Sequence, residues 1–220
     1  MSEGLRGRTL GPERFKALAD GVFSIALTLL IIDVVAAAKH VEHGASLSGH
    51  LMNHWGTGAA YLVGFLTIFV CWVNHQAVLD EVVRVDREFL WVGGLQLGLV
   101  SAVPLPTALL ADHFIGADRH TAFFLYGVTF MLMAASFWAL SRTVLRRGLA
   151  DDEGARGALA KLNRAYLIAM VWTVLCLLVL RFNLFAALAM WAAMFYVFAF
   201  PAEFAGFVHA RFGGRTRNPA

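Results

Sequence analysis

Apolar residues fall along this chain in runs long enough to cross a bilayer, separated by short polar segments. Six helices are predicted, at about 15–38, 55–79, 89–111, 121–141, 158–180 and 184–206. A spanning helix needs ~20 predominantly apolar residues. A membrane barrel would instead show roughly ten-residue alternating segments. The connecting stretches carry the turn and charge signals: "KHVEHGASLSGH", "DEVVRVDRE", "DHFIGADRH", "RRGLADDEGARG" and the short "RFN". The fifth helix opens on an amphipathic extension with Arg156, Lys161 and Arg164. Pro104 and Pro106 fall in the third run and Pro201 in the sixth, where each frees a carbonyl and bends the helix.

Composition agrees with the pattern. Of 220 residues, 59% are hydrophobic and 15% charged, against the ~25% charged of a soluble domain. The predicted class is therefore an all-α integral membrane protein, residues 1–212 forming one six-helix domain and 213–220 a flexible tail. Arg6 and Arg8 with Ala36–Ala38 have the look of a cleavable leader. The apolar stretch, however, exceeds the usual ~7–15 residues and is interrupted by Asp20, so a permanent helix is expected. Cys71 and Cys176 both fall within apolar runs and make no disulfide or metal pattern.

The net charge of +3 changes the picture only through its placement. With six crossings, fifteen of the 18 Lys and Arg residues fall on the side of the two termini and the even loops. That bias places both termini in the cytoplasm and accounts for the basic balance without a nucleic-acid partner.

The first run holds the candidate chemistry. Ile25, Leu29 and Ile32 follow i, i+4, i+7 and share one stripe, extended by Leu18, Gly21 and Val22, with Thr28 at its edge. Periodicity alone fits a lipid-facing or core-packed surface. Asp20 lies on roughly the opposite side. An ionisable group at membrane depth faces protein or water, so Asp20 is expected to face its own subunit. Trp72, Asn74 and His75 in "CWVNHQ" offer donors to it. Arg14 lies six residues earlier, some 120° around the helix, and serves either Asp20 or lipid phosphates.

Arg14-Phe15-Lys16-Ala17-Leu18-Ala19-Asp20-Gly21-Val22-Phe23 resembles the signature opening the first helix of the transmembrane protein 175 family, in which Arg and three residues precede Phe-Ser-Asp. "IALTLLIID", Trp72-Val73-Asn74-His75 and "PLPTALL" continue the likeness through the third run. The resemblance implies a potassium-permeable channel whose single-unit prokaryotic members form homotetramers in the cell membrane. It implies a pore surrounded by first helices, a hydrophobic gate of Ile25, Leu29 and Ile32, a selectivity position at Thr28, and a polar network of Arg14, Asp20, Trp72 and His75. Potassium is then the permeant ion, and no cofactor is implied. Leu18-Ala19 replaces the signature's Phe-Ser and removes one hydroxyl donor beside Asp20.

The residues fit that implication in one respect: no "TVGYG"-like segment exists, so a carbonyl-lined filter is unsupported. Stacked aliphatic rings would give modest preference for potassium over sodium. The alternative is a proton- or ion-coupled transporter using Asp20, His75 and Glu203, which predicts an unwound helix near mid-membrane. A third class is a structural or lipid-interacting membrane protein. An enzyme is not expected, since no nucleophile with base and orienter and no phosphate loop can be read. His40, His43, His50 and His54 cluster in the first loop. His40 and His43, with Glu42, are candidate zinc ligands or acid sensors, but their spacing is not a closed metal site, and a solvated loop is expected.

Overall fold

The computed structural model describes residues 11–39, 55–113 and 116–199, with positions 46, 48, 49 and 52 between the first two segments. The helices described there are α1 (Glu13–Lys39), α2 (Trp55–Leu79), α3 (Arg87–Ala102), α4 (Pro104–Asp112), α5 (Arg119–Arg147), α6 (Glu153–Leu180) and α7 (Leu184–Ala199). Five segments are long and apolar enough to cross a membrane: Glu13–Ala36, Trp55–Leu79, Arg87–Asp112, Arg119–Arg147 and Glu153–Leu180. The sixth, Leu184–Phe198, is a shorter apolar helix. The remainder of the sixth predicted helix, Pro201, Glu203 and the tail lie outside the described residues, as do His40, His43, His50 and His54.

The third predicted helix is two helices, α3 and α4, meeting at Val103. Pro104 has no N–H to give Val100, and the Val103 N–H bonds the Val100 carbonyl instead (3.1 Å). Val103 keeps right-handed helical angles, φ −55° and ψ −36°, so the junction is a kink and not an unwound segment. The broken helix that a transporter reading requires is therefore not found at this junction.

α1 packs on α2, α3 and α4, while α5 bridges α3 and α4 to α6, and α7 closes against α6. The buried face of α1 is Phe15, Ala19, Phe23, Ala26 and Leu30, an i, i+3/i+4 series. Two glycines admit α1 closely. A Cβ on Gly93 of α3 would overlap the Phe15 ring, and one on Gly64 of α2 would stand 2.7 Å from Thr107 of α4 and 3.3 Å from Leu30. Near-backbone approach through small residues is how membrane helices gain van der Waals contact.

One end of the bundle gathers three segments far apart in sequence. Lys16 meets Asp80 (3.3 Å), Arg147 meets Asp86 (2.6 Å), and the Val83 N–H bonds the Leu149 carbonyl (3.1 Å). The start of α1, the α2–α3 turn and the α5–α6 turn thus share one end. Gly148 ends α5 with φ 62°, the left-handed conformation a glycine C-cap supplies.

Asp86 does two tasks there: it caps α3 by accepting from the Phe89 N–H (2.9 Å) and accepts from Arg147. Burial pushes its carboxyl up, but the Phe89 N–H and the Arg147 guanidinium outweigh this and hold it below the ordinary carboxylate value. Asp86→Ala should cost ~1–2 kcal/mol and Asp86→Asn less, because Asn keeps the cap. The folded-state value is depressed, so the stabilisation from ionised Asp86 is full above pH ~4 and is lost as pH falls through the folded-state value. Thermal unfolding in detergent as a function of pH, wild type against Asp86→Asn, checks both.

Candidate functional site

The aliphatic stripe of α1 is exposed, without a covering partner among the described residues. Ile25 is 61% exposed, Leu29 42% and Ile32 56%, and Leu18 beside them is 58% exposed. A Cβ on Gly21 would meet nothing within 4 Å. The reason is rotational. At about 100° per residue, the stripe lies on one flank of the buried face and Asp20 on the other. Thr28 is exposed at the stripe's edge, and its hydroxyl donates to the Ile25 carbonyl in its own helix (2.9 Å).

Asp20 is held by α2. One carboxylate oxygen accepts from the Trp72 indole N–H (2.9 Å) and from the Gln76 amide (2.7 Å). Trp72 and Gln76 are i, i+4 and therefore present one face. Asn74 and His75, the other donors considered for Asp20, make their hydrogen bonds elsewhere. Asn74 lies ~200° around α2 from Trp72. Its amide bonds the Val70 carbonyl (2.9 Å), and its oxygen accepts from the Tyr166 hydroxyl of α6 (3.4 Å).

His75 is fully buried, its Nδ1 3.2 Å from Gln96 Oε1 on α3. Its ring sits among Phe15 and Phe23 of α1 and Phe137 of α5, with centroids 5.4–6.5 Å away. His75 Nε2 and Gln96 Nε2 have no partner among the described residues. Arg14 also departs from the expected network. It is exposed, on the same side of α1 as the stripe, and makes no ion pair among the described residues.

Sequence reasoning thus missed Gln76 and Gln96. The i, i+4 relation of Gln76 to Trp72 was the available signal for the first. Nothing local pointed to Gln96, which meets His75 only once α2 and α3 are packed. A second buried polar pair also emerges only in three dimensions: Thr67 of α2 and Tyr126 of α5 lie 3.0 Å apart. Among the described residues no group of three His, Cys, Asp or Glu side chains is placed to hold a metal ion.

The family model described as "Endosomal/lysosomal potassium channel TMEM175" matches residues 14–104, the part of the chain that contains the stripe, Asp20, Trp72, Gln76 and Gln96. A protein of Streptomyces collinus named as a potassium channel is 39% identical over 153 residues, 69% of this chain and 73% of that one. One of Chamaesiphon minutus, also named as a potassium channel, is 37% identical over 124 residues, 56% of this chain and 61% of that one. A solved structure titled as a lysosomal potassium-selective channel TMEM175 homologue from Chamaesiphon minutus superposes with a TM-score of 0.76 at 27% identity. It covers 86% of this chain and 96% of that one. These proteins are named as channels, not as enzymes.

The Asp20 contact carries a prediction of its own. Asp20→Ala strands two donors and should destabilise the protomer by ~1–3 kcal/mol. Combined with Trp72→Phe, the loss should be smaller than the sum by ~0.5 kcal/mol or more, since the two side chains share one bond. A double-mutant cycle on thermal unfolding in detergent measures this. Strict additivity would show that the pair does not couple.

Proposed function

Because the chain belongs to the TMEM175 family, whose matched members from Streptomyces collinus and Chamaesiphon minutus are named as potassium channels, we propose that it is a potassium-permeable channel of the cell membrane. Its pore is formed where the α1 helices of a homo-oligomer, four copies in this reading, surround a shared axis. The chain acts as one six-helix unit with both termini in the cytoplasm. The constriction is built from Ile25, Leu29 and Ile32, with Thr28 at its side.

The observation that carries the reading is the uncovered stripe on a helix otherwise fixed in place. α1 buries one face against α2, α3 and α4 and ties a second flank to α2 through Asp20, yet leaves Ile25, Leu29 and Ile32 exposed, with no covering partner among the described residues. From Ile25 to Ile32 the stripe spans ~10 Å of axis at about 1.5 Å per residue. Copies of it turned to a common centre form stacked apolar rings. Such rings offer an ion no ligands and close by dewetting. Passage then favours the ion that sheds water at lower cost, potassium over sodium, with a preference smaller than coordinating carbonyls give. Asp20 stays out of the ion path, bound within its own subunit. The excess of Lys and Arg at the end shared by the α2–α3 and α5–α6 turns supports placing that end in the cytoplasm.

Purified protein in liposomes should pass potassium down its gradient faster than sodium. Ile25→Asn or Leu29→Asn should wet the constriction, raising basal flux and lowering the potassium preference; each ~1.4 kcal/mol taken from the barrier is about tenfold in rate. Flux indifferent to both substitutions would remove the stripe from the pore.

A further inference from the structure

The α5–α6 pair carries two guanidinium groups that the channel reading leaves unused. Asn163 of α6 donates to the Trp138 carbonyl (3.0 Å) and to the Ser141 hydroxyl (2.9 Å) of α5, which sets the two helices side by side at this level. They run antiparallel, joined by a turn of a few residues. One step along each from this contact leads to Arg142 and to Arg164. On antiparallel right-handed helices that step of about 100° turns both side chains to the same side of the pair. Both are exposed, and neither has an acidic partner among the described residues.

Arg142 is oriented further: its guanidinium carbon lies 5.6 Å from the centre of the Trp138 ring. That is within cation–π range, and an indole beside a cation is the pairing found at the level of lipid headgroups. Arg146, one turn beyond Arg142, shares its face and is also exposed.

The same end of the bundle shows what a satisfied cation looks like here. Lys16 has Asp80, Arg147 has Asp86 at 2.6 Å and Glu88 at 3.7 Å, and Arg84 reaches the Gly148 carbonyl at 3.4 Å. Arg142 and Arg164 have no such partner among the described residues and are exposed at the boundary of an apolar bundle. There the anion available from outside is the phosphate of a phospholipid, which planar guanidinium groups bind in bidentate fashion.

We propose that Arg142 and Arg164, with the Trp138 ring between lipid tails and headgroup, form a binding site for the headgroup of an anionic phospholipid. This site is separate from α1 and does not depend on what α1 conducts. The apolar surface of α6 on the bilayer side of Arg164, including Leu167 (42% exposed) and Ile168 (67% exposed), supplies contact for the tails.

The test is native mass spectrometry of the protein taken from vesicles of phosphatidylcholine mixed with phosphatidylglycerol. Phosphatidylglycerol should be retained in preference, and Arg142→Gln/Arg164→Gln should reduce that preference by about tenfold. Arg84→Gln/Arg87→Gln removes the same charge from the same end, in the α2–α3 turn and at the start of α3, outside the α5–α6 pair. This control should keep the preference. Arg142→Lys/Arg164→Lys should restore part of it, because charge returns without the bidentate fork. Excess inorganic phosphate should not displace the lipid. An unchanged preference in the Gln pair, an equal loss in the control, or displacement by free phosphate would each overturn the site. Potassium flux in the Gln pair reports separately on the channel reading.

Discussion

The rotation of α1 about its own axis is the constraint from which the rest of this structure follows. Twenty-odd residues of one helix must present three different surfaces to three different neighbours. Phe15, Ala19, Phe23, Ala26 and Leu30 face the subunit core, Asp20 faces α2, and Ile25, Leu29 and Ile32 face outward. Hydrocarbon enforces this arrangement, because a carboxylate left without donors at that depth costs several kcal/mol. Trp72 and Gln76 therefore act as a rotational stop. Turning α1 so as to bury the aliphatic stripe would pull Asp20 from both donors at once and expose two phenylalanine rings.

Much of this was legible in the sequence, because membrane helices declare themselves by length and because a 3.6-residue period assigns residues to faces. The five long spans, the two flanks of α1 and the grouping of the basic segments at one end all follow from such one-dimensional signals. The partners of the polar groups were less legible. Trp72, Asn74 and His75 are close in sequence but point in three directions, and spacing alone does not say which direction faces α1. Gln96 and Tyr166 are recruited by packing between helices far apart in the chain, to which no local pattern is sensitive. Proline marked the bend in the third span, yet the sequence could not say whether the helix would kink or unwind. The retained helical angles of Val103 decide for a kink.

Among the described residues, four of the polar contacts between helices are grouped around α2. Asp20 with Trp72 and Gln76, His75 with Gln96, Thr67 with Tyr126, and Asn74 with Tyr166 each join two helices. Each pair acts as interhelical adhesive where the hydrophobic effect contributes little, since lipid tails are as apolar as leucine. α2 takes part in all four, so it is the common wall against which α1, α3, α5 and α6 are positioned. α1, seated on such a wall, takes its orientation from contacts within its own subunit.

The two glycine notches have a mechanical meaning. The Phe15 ring rests in the gap left by Gly93, and Leu30, some 22 Å further along α1 at about 1.5 Å per residue, lies against the gap left by Gly64. A rod pegged near both ends neither slides like a piston nor spins without lifting a peg from its socket. In the channel proposed above, any widening of the passage would then come from whole protomers leaning against one another, each carrying its first helix as a fixed spoke.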